Sequence, residues 1–261
     1  MAEDCGVELP DGRLDMLAAG SGPPLVVLHR DIGRGEWGRF HDLLASRFRV
    51  FAPSLPGFDA SARPAWLRNV TDLAGLMGLA FDKAGIGPAI LVGLGFGGWV
   101  AAEIAARSPN RVRQLVLHSP VGLKPVAGEI LDQFLFGSIT YIRHGFADPE
   151  TYGRLFAATE SARLDVWEQN REMTTRVAWK PYMFNPALGH LLGVMPVPAA
   201  ILWSAADRIV PRGAAEAYRR VLPDAAYDEL PGLGHHAELE APEELAGLIL
   251  SRIERIKAPG A

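Results

Sequence analysis

Cysteine is almost absent from this chain of 261 residues, which contains only Cys5. A single cysteine cannot form an intrachain disulfide, so the disulfide-stabilised secreted class is excluded and a reducing compartment is expected. Positive charge is not in excess either, because 26 Lys and Arg against 30 Asp and Glu give a formal net charge of −4. This balance gives no reason to expect a nucleic acid or an anionic membrane surface as a partner.

Long apolar runs and targeting signals are also lacking. The most apolar run, residues 88–102, contains four glycines and is shorter than the roughly 20 residues that span a bilayer. The first six residues include two acids and no basic residue, and no apolar segment follows them, which argues against a signal peptide. We therefore expect a cytoplasmic protein without a membrane partner. No spacing of His, Cys and Asp predicts a metal site, and no cofactor is expected.

Glycine, by contrast, is concentrated in residues 91–100, LVGLGFGGWV. Gly93, Gly95 and Gly98 match the G-x-G-x-x-G pattern of dinucleotide-binding turns. The same residues also match a strand-to-helix nucleophile elbow, G-x-S-x-G, in which Gly95 stands where the nucleophile would be. A third interpretation assigns these glycines only to tight packing between a strand and a helix.

The dinucleotide interpretation makes two demands that the chain does not meet. It requires the glycine turn in the first βαβ unit and an acidic residue at the end of the next strand. Here two strand-like segments and two helices precede the turn, and the next strand, at 112–117, is followed by His118-Ser119-Pro120. The elbow is the favoured interpretation.

Strand-like and helix-like segments alternate along most of the chain. Strands are predicted at 25–29, 49–53, 89–92, 112–117, 200–204 and 226–229, and helices at 36–46, 69–83, 99–106, 213–222 and 242–256. A hairpin is predicted around Pro10-Asp11-Gly12, between strands at 6–10 and 13–18. The alternation predicts a mostly parallel sheet covered by helices on both faces, in a single domain.

The pattern changes at 121–196, which is rich in large side chains and predicts helical patches at 128–135, 149–158 and 164–175. After it come Asp207, just beyond a predicted strand, and His235, in a glycine-rich turn before the last helix. An early strand ending at His29, the elbow, Asp207 and His235 occur in the order of the α/β-hydrolase superfamily, which the chain resembles over almost its whole length. The resemblance implies an α/β-hydrolase core at 1–120 and 197–261, and a helical cap at 121–196 over an apolar pocket for a small molecule.

In the resemblance, His235 is the general base, Asp207 orients its ring, and position 95 bears the attacking serine. Gly95 has no side chain with which to attack. The resemblance assigns Phe96, His29, Arg30 and Asp31 to the oxyanion turn and the pocket.

Two turns depart from the family pattern. Arg30 replaces the glycine expected after His29, and Asp31 places a carboxylate where an oxyanion would develop. A solvent-exposed Arg30–Asp31 pair at the rim of the cleft is the alternative interpretation of these two residues. The other is Ser54, which stands where related sequences commonly have aspartate. His118 and His236 either pack in the structure or act directly in the chemistry.

Three hypotheses follow from the sequence. In the favoured one, an atypical hydrolase-like enzyme uses His235 and Asp207 on a small, largely apolar carbonyl or ester substrate, directly or through a water in the space left at Gly95. In the second, a non-catalytic binding protein retains the pocket. In the third, the chain is an engineered serine-to-glycine variant of an esterase, although a single engineered change would not explain Arg30 and Asp31. The sequence does not specify the oligomeric state.

Overall fold

A computed structural model describes residues 2–256 of the chain. Its strands are β1 (Glu3–Asp4), β2 (Val7–Leu9), β3 (Gly12–Leu14), β4 (Met16–Ala19), β5 (Pro24–Leu28), β6 (Arg49–Pro53), β7 (Ala89–Leu94), β8 (Val112–His118), β9 (Ala199–Ser204) and β10 (Ala226–Leu230). Its helices are α1 (Arg39–Ala45), α2 (Val70–Lys83), α3 (Phe96–Arg107), α4 (Ser138–His144), α5 (Pro149–Phe156), α6 (Glu160–Ala178), α7 (Leu188–Leu192), α8 (Arg212–Val221), α9 (Ala237–Glu240) and α10 (Pro242–Arg255). Within residues 2–256, no helix combines the length and the apolar character needed to cross a bilayer.

Eight strands form one sheet in the order β1-β4-β6-β5-β7-β8-β9-β10. Neighbours from β6 to β10 run parallel, whereas β4 pairs antiparallel with β6 and β1 antiparallel with β4. Strands β2 and β3 form the predicted hairpin, but β4 leaves it to join the main sheet. The mostly parallel sheet predicted from the alternating pattern is confirmed.

Helices cover both faces of this sheet because side chains alternate along each buried strand. In β5, Leu25 and Val27 belong to the cluster that contains the apolar residues of α1 and α10. Val26 and Leu28 belong to the larger cluster that contains those of α2 and α3. Helix α2 begins where the sequence predicts, since the Asn69 side chain accepts a hydrogen bond from the backbone N–H of Asp72 at 2.8 Å.

The segment between β8 and β9 contains α4 to α7, and the helices predicted at 149–158 and 164–175 correspond to α5 and α6. The helix predicted at 128–135 is wrong, because only a 3₁₀ turn at Gln133–Leu135 is present. Gly128 has a φ of 75°, and the Leu131 N–H donates to the Ile209 carbonyl at 2.8 Å instead of to a helical partner. Contacts with distant residues therefore override the local helical pattern there.

Candidate active site

Gly95 lies at the sharp turn between β7 and α3, at the carboxyl end of the sheet. Its φ of 51° and ψ of −110° are easily adopted by glycine and strained for other residues. The neighbouring glycines permit close packing: a Cβ on Gly97 would lie 2.2 Å from the Leu28 carbonyl oxygen. The turn has the backbone shape that a nucleophile elbow requires, and its key position has no side chain.

His235 and Asp207 are joined by a short hydrogen bond, with 2.7 Å between His235 Nδ1 and Asp207 Oδ2. The Oδ1 atom of Asp207 accepts from the backbone N–H groups of Ile209 and Val210 at 2.8 and 2.9 Å. Burial alone would raise the pKa of Asp207, but the His235 ring and these two N–H groups outweigh it and lower that pKa. The ionised carboxylate keeps the Nδ1 proton on His235, so Nε2 presents its lone pair toward Gly95.

Two side chains crowd the position that a Cβ on Gly95 would take. A Cβ on Gly95 would lie 2.7 Å from His235 Nε2 and 2.9 Å from Arg30 Nη1. Both distances are shorter than carbon normally tolerates from a nitrogen to which it is not bonded. A side chain at position 95 would therefore require His235 or Arg30 to move, and the water that the sequence suggested beside Gly95 stays a prediction.

Arg30 is almost fully buried, at 1% exposure. Its Nε and Nη2 atoms donate to the carboxylate of Glu238 at 2.8 to 3.0 Å. Its Nη2 atom also lies 2.7 Å from Nδ1 of His118, which must accept, and His118 Nε2 then donates to the Ser204 hydroxyl at 2.9 Å. Nη1 has no hydrogen-bond partner among the described residues. Both N–H bonds of Nη1 in this buried guanidinium therefore lack a partner within residues 2–256, beside Gly95 and His235.

Asp31 is also buried, at 4% exposure, and it accepts a hydrogen bond from the Tyr141 hydroxyl of α4 at 2.6 Å. Burial, and then the nearby Asp31 charge, hold the pKa of Tyr141 well above its usual value, so the phenol remains a donor. The solvent-exposed Arg30–Asp31 pair considered from the sequence is wrong. The two neighbours turn to different partners, and both are buried.

Both ring nitrogens of His29 form hydrogen bonds with backbone groups, so the ring supports the turn at residues 29–31 and has no nitrogen left for a ligand. Its Nδ1 donates to the Arg30 carbonyl oxygen at 2.6 Å, and its Nε2 accepts from the Leu55 N–H at 2.8 Å. Burial lowers the pKa of His29 and keeps the ring neutral. Phe96 begins α3 and is 1% exposed, with its ring packed against Phe58 at 5.6 Å between centroids.

The other residues singled out from the sequence lie close to this centre. His118 takes part in the Arg30 network, and burial, followed by the charges of Arg30 and His235, holds its pKa well below the usual range. His236 is buried against Phe146, with 5.1 Å between ring centroids. Ser54 donates to Asp59 at 3.1 Å.

Glu238 and Tyr141 were not singled out from the sequence, although they fix Arg30 and Asp31. Glu238 lies 208 positions from Arg30 along the chain and Tyr141 lies 110 from Asp31. Neither pairing has a local pattern that would predict it. Glu238 follows His235 by three residues, at the start of α9. This closeness along the chain was the one feature of the sequence that placed Glu238 near the site.

No group of three or more His, Cys, Asp or Glu side chains is arranged to hold a metal ion in the part of the chain that the structure describes. The chemistry available at this site is that of an imidazole base, its carboxylate partner and a guanidinium. Their positions favour proton transfer and anion stabilisation over nucleophilic attack.

Comparison with known proteins identifies the same architecture. The model of the alpha/beta hydrolase family matches residues 25–248. Pimeloyl-[acyl-carrier protein] methyl ester esterase of Chromobacterium violaceum is 30% identical over 256 residues, covering 90% of this chain and 96% of the esterase. Haloalkane dehalogenase 2 of Mycobacterium tuberculosis is 25% identical over 278 residues, covering 92% and 91% of the two chains.

A solved structure shares the fold at lower sequence identity. The 2-hydroxy-6-oxo-6-phenylhexa-2,4-dienoate hydrolase of Rhodococcus sp. strain RHA1 superposes with a TM-score of 0.79 at 23% identity, covering 97% of this chain and all of that one. The similar proteins thus include an esterase, a dehalogenase and a hydrolase of a dienoate. On the family match and the identity to the esterase, the chain belongs to the alpha/beta hydrolase family.

Proposed function

We propose that this protein is an atypical hydrolase-like enzyme that transfers a proton at a small, largely apolar carbonyl or ester substrate and forms no covalent intermediate. The observation that carries the proposal is the convergence of His235 Nε2 and Arg30 Nη1 on one point above Gly95. A base and a free cationic donor that face the same point suit a substrate that becomes an anion when it loses a proton.

In the proposed step, His235 Nε2 takes a proton from a C–H or O–H group of the substrate. The electron pair of that bond stays on the substrate as an enolate or alkoxide, and Arg30 Nη1 donates a hydrogen bond to the oxygen that gains the charge. Asp207 stabilises the imidazolium that forms. The proton returns from Nε2 to another atom of the substrate, so proton transfer alone gives an isomer and requires no oxidant. Hydrolysis of an ester would also consume one water, which His235 Nε2 would deprotonate as it attacks the carbonyl carbon and from which the leaving alcohol would regain the proton.

The residues 121–196 form a cap in this proposal, because their helices supply contacts over the carboxyl ends of the strands. Tyr141 of α4 reaches Asp31, and Asn170 of α6 accepts from the Asp59 N–H at 2.8 Å. We also propose a cytoplasmic location and a small-molecule substrate as the partner, since the lone Cys5 suits a reducing compartment.

A panel of esters, lactones and 1,3-diketones tests this function. Wild-type protein is expected to turn over at least one class, and His235→Ala to lose that activity while ligand affinity stays within about tenfold. Asp207→Asn is expected to lose most of the activity, because the ring would lose its tautomer and its counter-charge. Activity that persists in His235→Ala rejects the proposal.

The second candidate is a binding protein without turnover, and the absence of a side chain at position 95 that could attack a substrate favours it. Its forecast is opposite: no member of the panel is consumed, and both variants bind as the wild type does. The engineered-variant hypothesis fits less well, because a serine at position 95 would collide with Arg30 where it now lies. Gly95 leaves the room that the Arg30 side chain needs. A single inactivating change at position 95 would not also introduce that arginine.

A further inference from the structure

We propose that the substrate of this site carries a protonated amine and that Asp31 binds this ammonium group. Asp31 directly follows Arg30 in the turn after β5, and its side chain is buried at 4% exposure. The inference rests on the proposed function only for the carbonyl group of the same molecule. Binding of an amine at Asp31 requires no turnover, so it can be tested separately.

Asp31 is a buried carboxylate without a positive partner. Its Oδ2 atom accepts one hydrogen bond, from the Tyr141 hydroxyl at 2.6 Å, and its Oδ1 atom accepts none from residues 2–256. The two arginines nearest to it in sequence, Arg30 and Arg34, form ion pairs with other carboxylates. A buried carboxylate is costly unless a cation or several donors accompany it. Asp31 therefore lacks the counter-charge that its burial demands.

Tyr141 does not supply that charge. Burial, and then the charge of Asp31, keep the pKa of its phenol well above the usual value, so the phenol donates a hydrogen bond and remains neutral. It also occupies one of the two carboxylate oxygens. A guanidinium prefers to bind both oxygens through parallel N–H groups, whereas an ammonium is a compact charge that needs only one. The open Oδ1 atom therefore favours an ammonium group as the ligand.

The charges around this carboxylate also favour a cation. Burial is the main cause that raises the pKa of the neighbouring Tyr182 phenol, and the charges of Asp31 and Asp132 add to the increase. Arg171 acts on this phenol in the opposite direction, but it lies 3.5 Å from the Glu168 carboxylate. Two carboxylates against one arginine that has its own acidic neighbour leave this side of the site negative, and a negative site attracts a positively charged ligand.

Asp31 lies close to the groups that the proposed function uses. Burial and Asp31 contribute most to the raised pKa of Tyr141, and the charge of Asp207 is a further cause, which places the Tyr141–Asp31 pair within electrostatic range of Asp207. Arg30, the residue before Asp31, presents its Nη1 atom near His235 Nε2. A molecule with its carbonyl oxygen at Arg30 thus meets Asp31 in the same turn. An amino ester or an amino ketone has both groups.

The binding test compares benzylamine, which is protonated at neutral pH, with its neutral analogue benzyl alcohol. Both are titrated against the protein and followed by ligand-observed NMR, which measures weak dissociation constants. We expect benzylamine to bind at least about tenfold more tightly than benzyl alcohol. Asp31→Asn should remove this preference and leave benzyl alcohol unaffected. Asp224→Asn removes the same charge at an exposed position before β10 and should change neither dissociation constant.

Two further measurements separate ligand binding from a structural role of Asp31. Asp31→Asn should keep or raise the midpoint of urea denaturation, because a neutral amide still accepts from Tyr141 and costs less to bury. Tyr141→Phe removes the hydrogen bond to Oδ2 and leaves Oδ1 untouched, so it should retain the preference for benzylamine. A lower midpoint in Asp31→Asn, or loss of the preference in Tyr141→Phe, would assign Asp31 to the fold and overturn the inference.

Turnover connects the amine site with the proposed catalysis. Ethyl 3-aminopropanoate and ethyl butanoate have nearly the same shape, and they differ in an ammonium or a methyl group at the end of the acyl chain. The kcat/KM value should be at least about tenfold higher for the amino ester, and Asp31→Asn should remove the difference by raising KM. Benzylamine binding that persists in His235→Ala, without turnover of either ester by the wild type, rejects the proposed function and supports the amine site. Equal binding of benzylamine and benzyl alcohol, or no binding of either, overturns it.

Discussion

The Nη1 atom of Arg30 lies 2.9 Å from the point at which a Cβ on Gly95 would stand. The guanidinium thus crowds the position at which a side chain on residue 95 would begin, and Glu238 and His118 hold it there. Glycine at position 95 leaves room for the buried arginine, which a larger residue would not. A serine at position 95 therefore requires Arg30 and His235 to move.

The first prediction follows from that coupling. Gly95→Ser should remain unlabelled by fluorophosphonate reagents, because its side chain would collide with Arg30 and His235. The double variant Gly95→Ser/Arg30→Gly should gain labelling, since removal of the guanidinium gives the His235 ring room to move away from the new side chain and to activate its hydroxyl. Intact-protein mass spectrometry measures both outcomes. Stoichiometric labelling of the wild type would show a nucleophile elsewhere and contradict this account.

A second prediction uses the free energy of unfolding to distinguish a side-chain collision at position 95 from backbone strain there. Gly95→Ser should lower the free energy of unfolding by more than the roughly 1–3 kcal/mol of a non-glycine residue at positive φ. Gly85→Ser is the matched control, since Gly85 has a φ of 67° and nothing lies within 4 Å of its Cβ position. Urea denaturation of the two variants compares them. Equal losses would mean that Arg30 and His235 move aside without cost.

A third prediction concerns the buried ion pair. Glu238→Gln leaves a guanidinium that is 1% exposed without its counter-charge and should destabilise the fold by about 3–5 kcal/mol. Glu243→Gln breaks a pair with Arg39 in which both side chains are more than half exposed and should cost at most about 1 kcal/mol. Denaturation at neutral pH measures both variants. A small effect of Glu238→Gln would show that Arg30 has solvent or another partner within reach.

A fourth prediction uses His236, whose ring nitrogens have no hydrogen-bond partner within the described part of the chain. Burial, followed by the charges of His235 and Arg30, holds its pKa well below the usual value. Because the folded pKa is lowered, the unfolded chain binds the proton first. The stability that the neutral ring contributes is present above the unfolded pKa of about 6.5 and is lost progressively as the pH falls toward the folded pKa.

His236→Phe should therefore reduce the loss of unfolding free energy between pH 7 and pH 5, by up to about 1.4 kcal/mol per pH unit below pH 6.5. A phenylalanine ring at this position keeps an aromatic neighbour for Phe146 and has no group that takes up a proton. His190→Phe, at an exposed position in α7, controls for the loss of an imidazole. An unchanged slope in His236→Phe would mean that His236 reaches solvent before the fold opens.

Local patterns predicted much of the fold. Strand β6 was predicted with its observed bounds, and α2 begins one residue after its predicted start at residue 69, because strand and helix patterns are short-range signals. The predicted helix at 128–135 failed because the backbone there bonds to Ile209, a residue far along the chain. Periodicity alone does not reveal such a competitor.

The sequence predicted those residues of the candidate site that can be recognised from their order along the chain. Gly95, Asp207 and His235 followed from the order of three loops, and the structure brings them together. The burial of Arg30 did not follow, since it depends on Glu238, which folding brings from 208 positions away. The sequence showed that the oxyanion turn departs from the family pattern, and the structure shows what replaces it.

Proton exchange tests the central claim most directly. Wild-type protein, His235→Ala and Gly85→Ser would be incubated with a panel of 1,3-diketones and esters in deuterium oxide, with carbon-bound hydrogen exchange and hydrolysis followed by NMR. The account predicts exchange or hydrolysis with the wild type and with Gly85→Ser, and a loss of at least about a hundredfold in His235→Ala. Equal rates in the wild type and His235→Ala, or no exchange above buffer with any of the three, would contradict it.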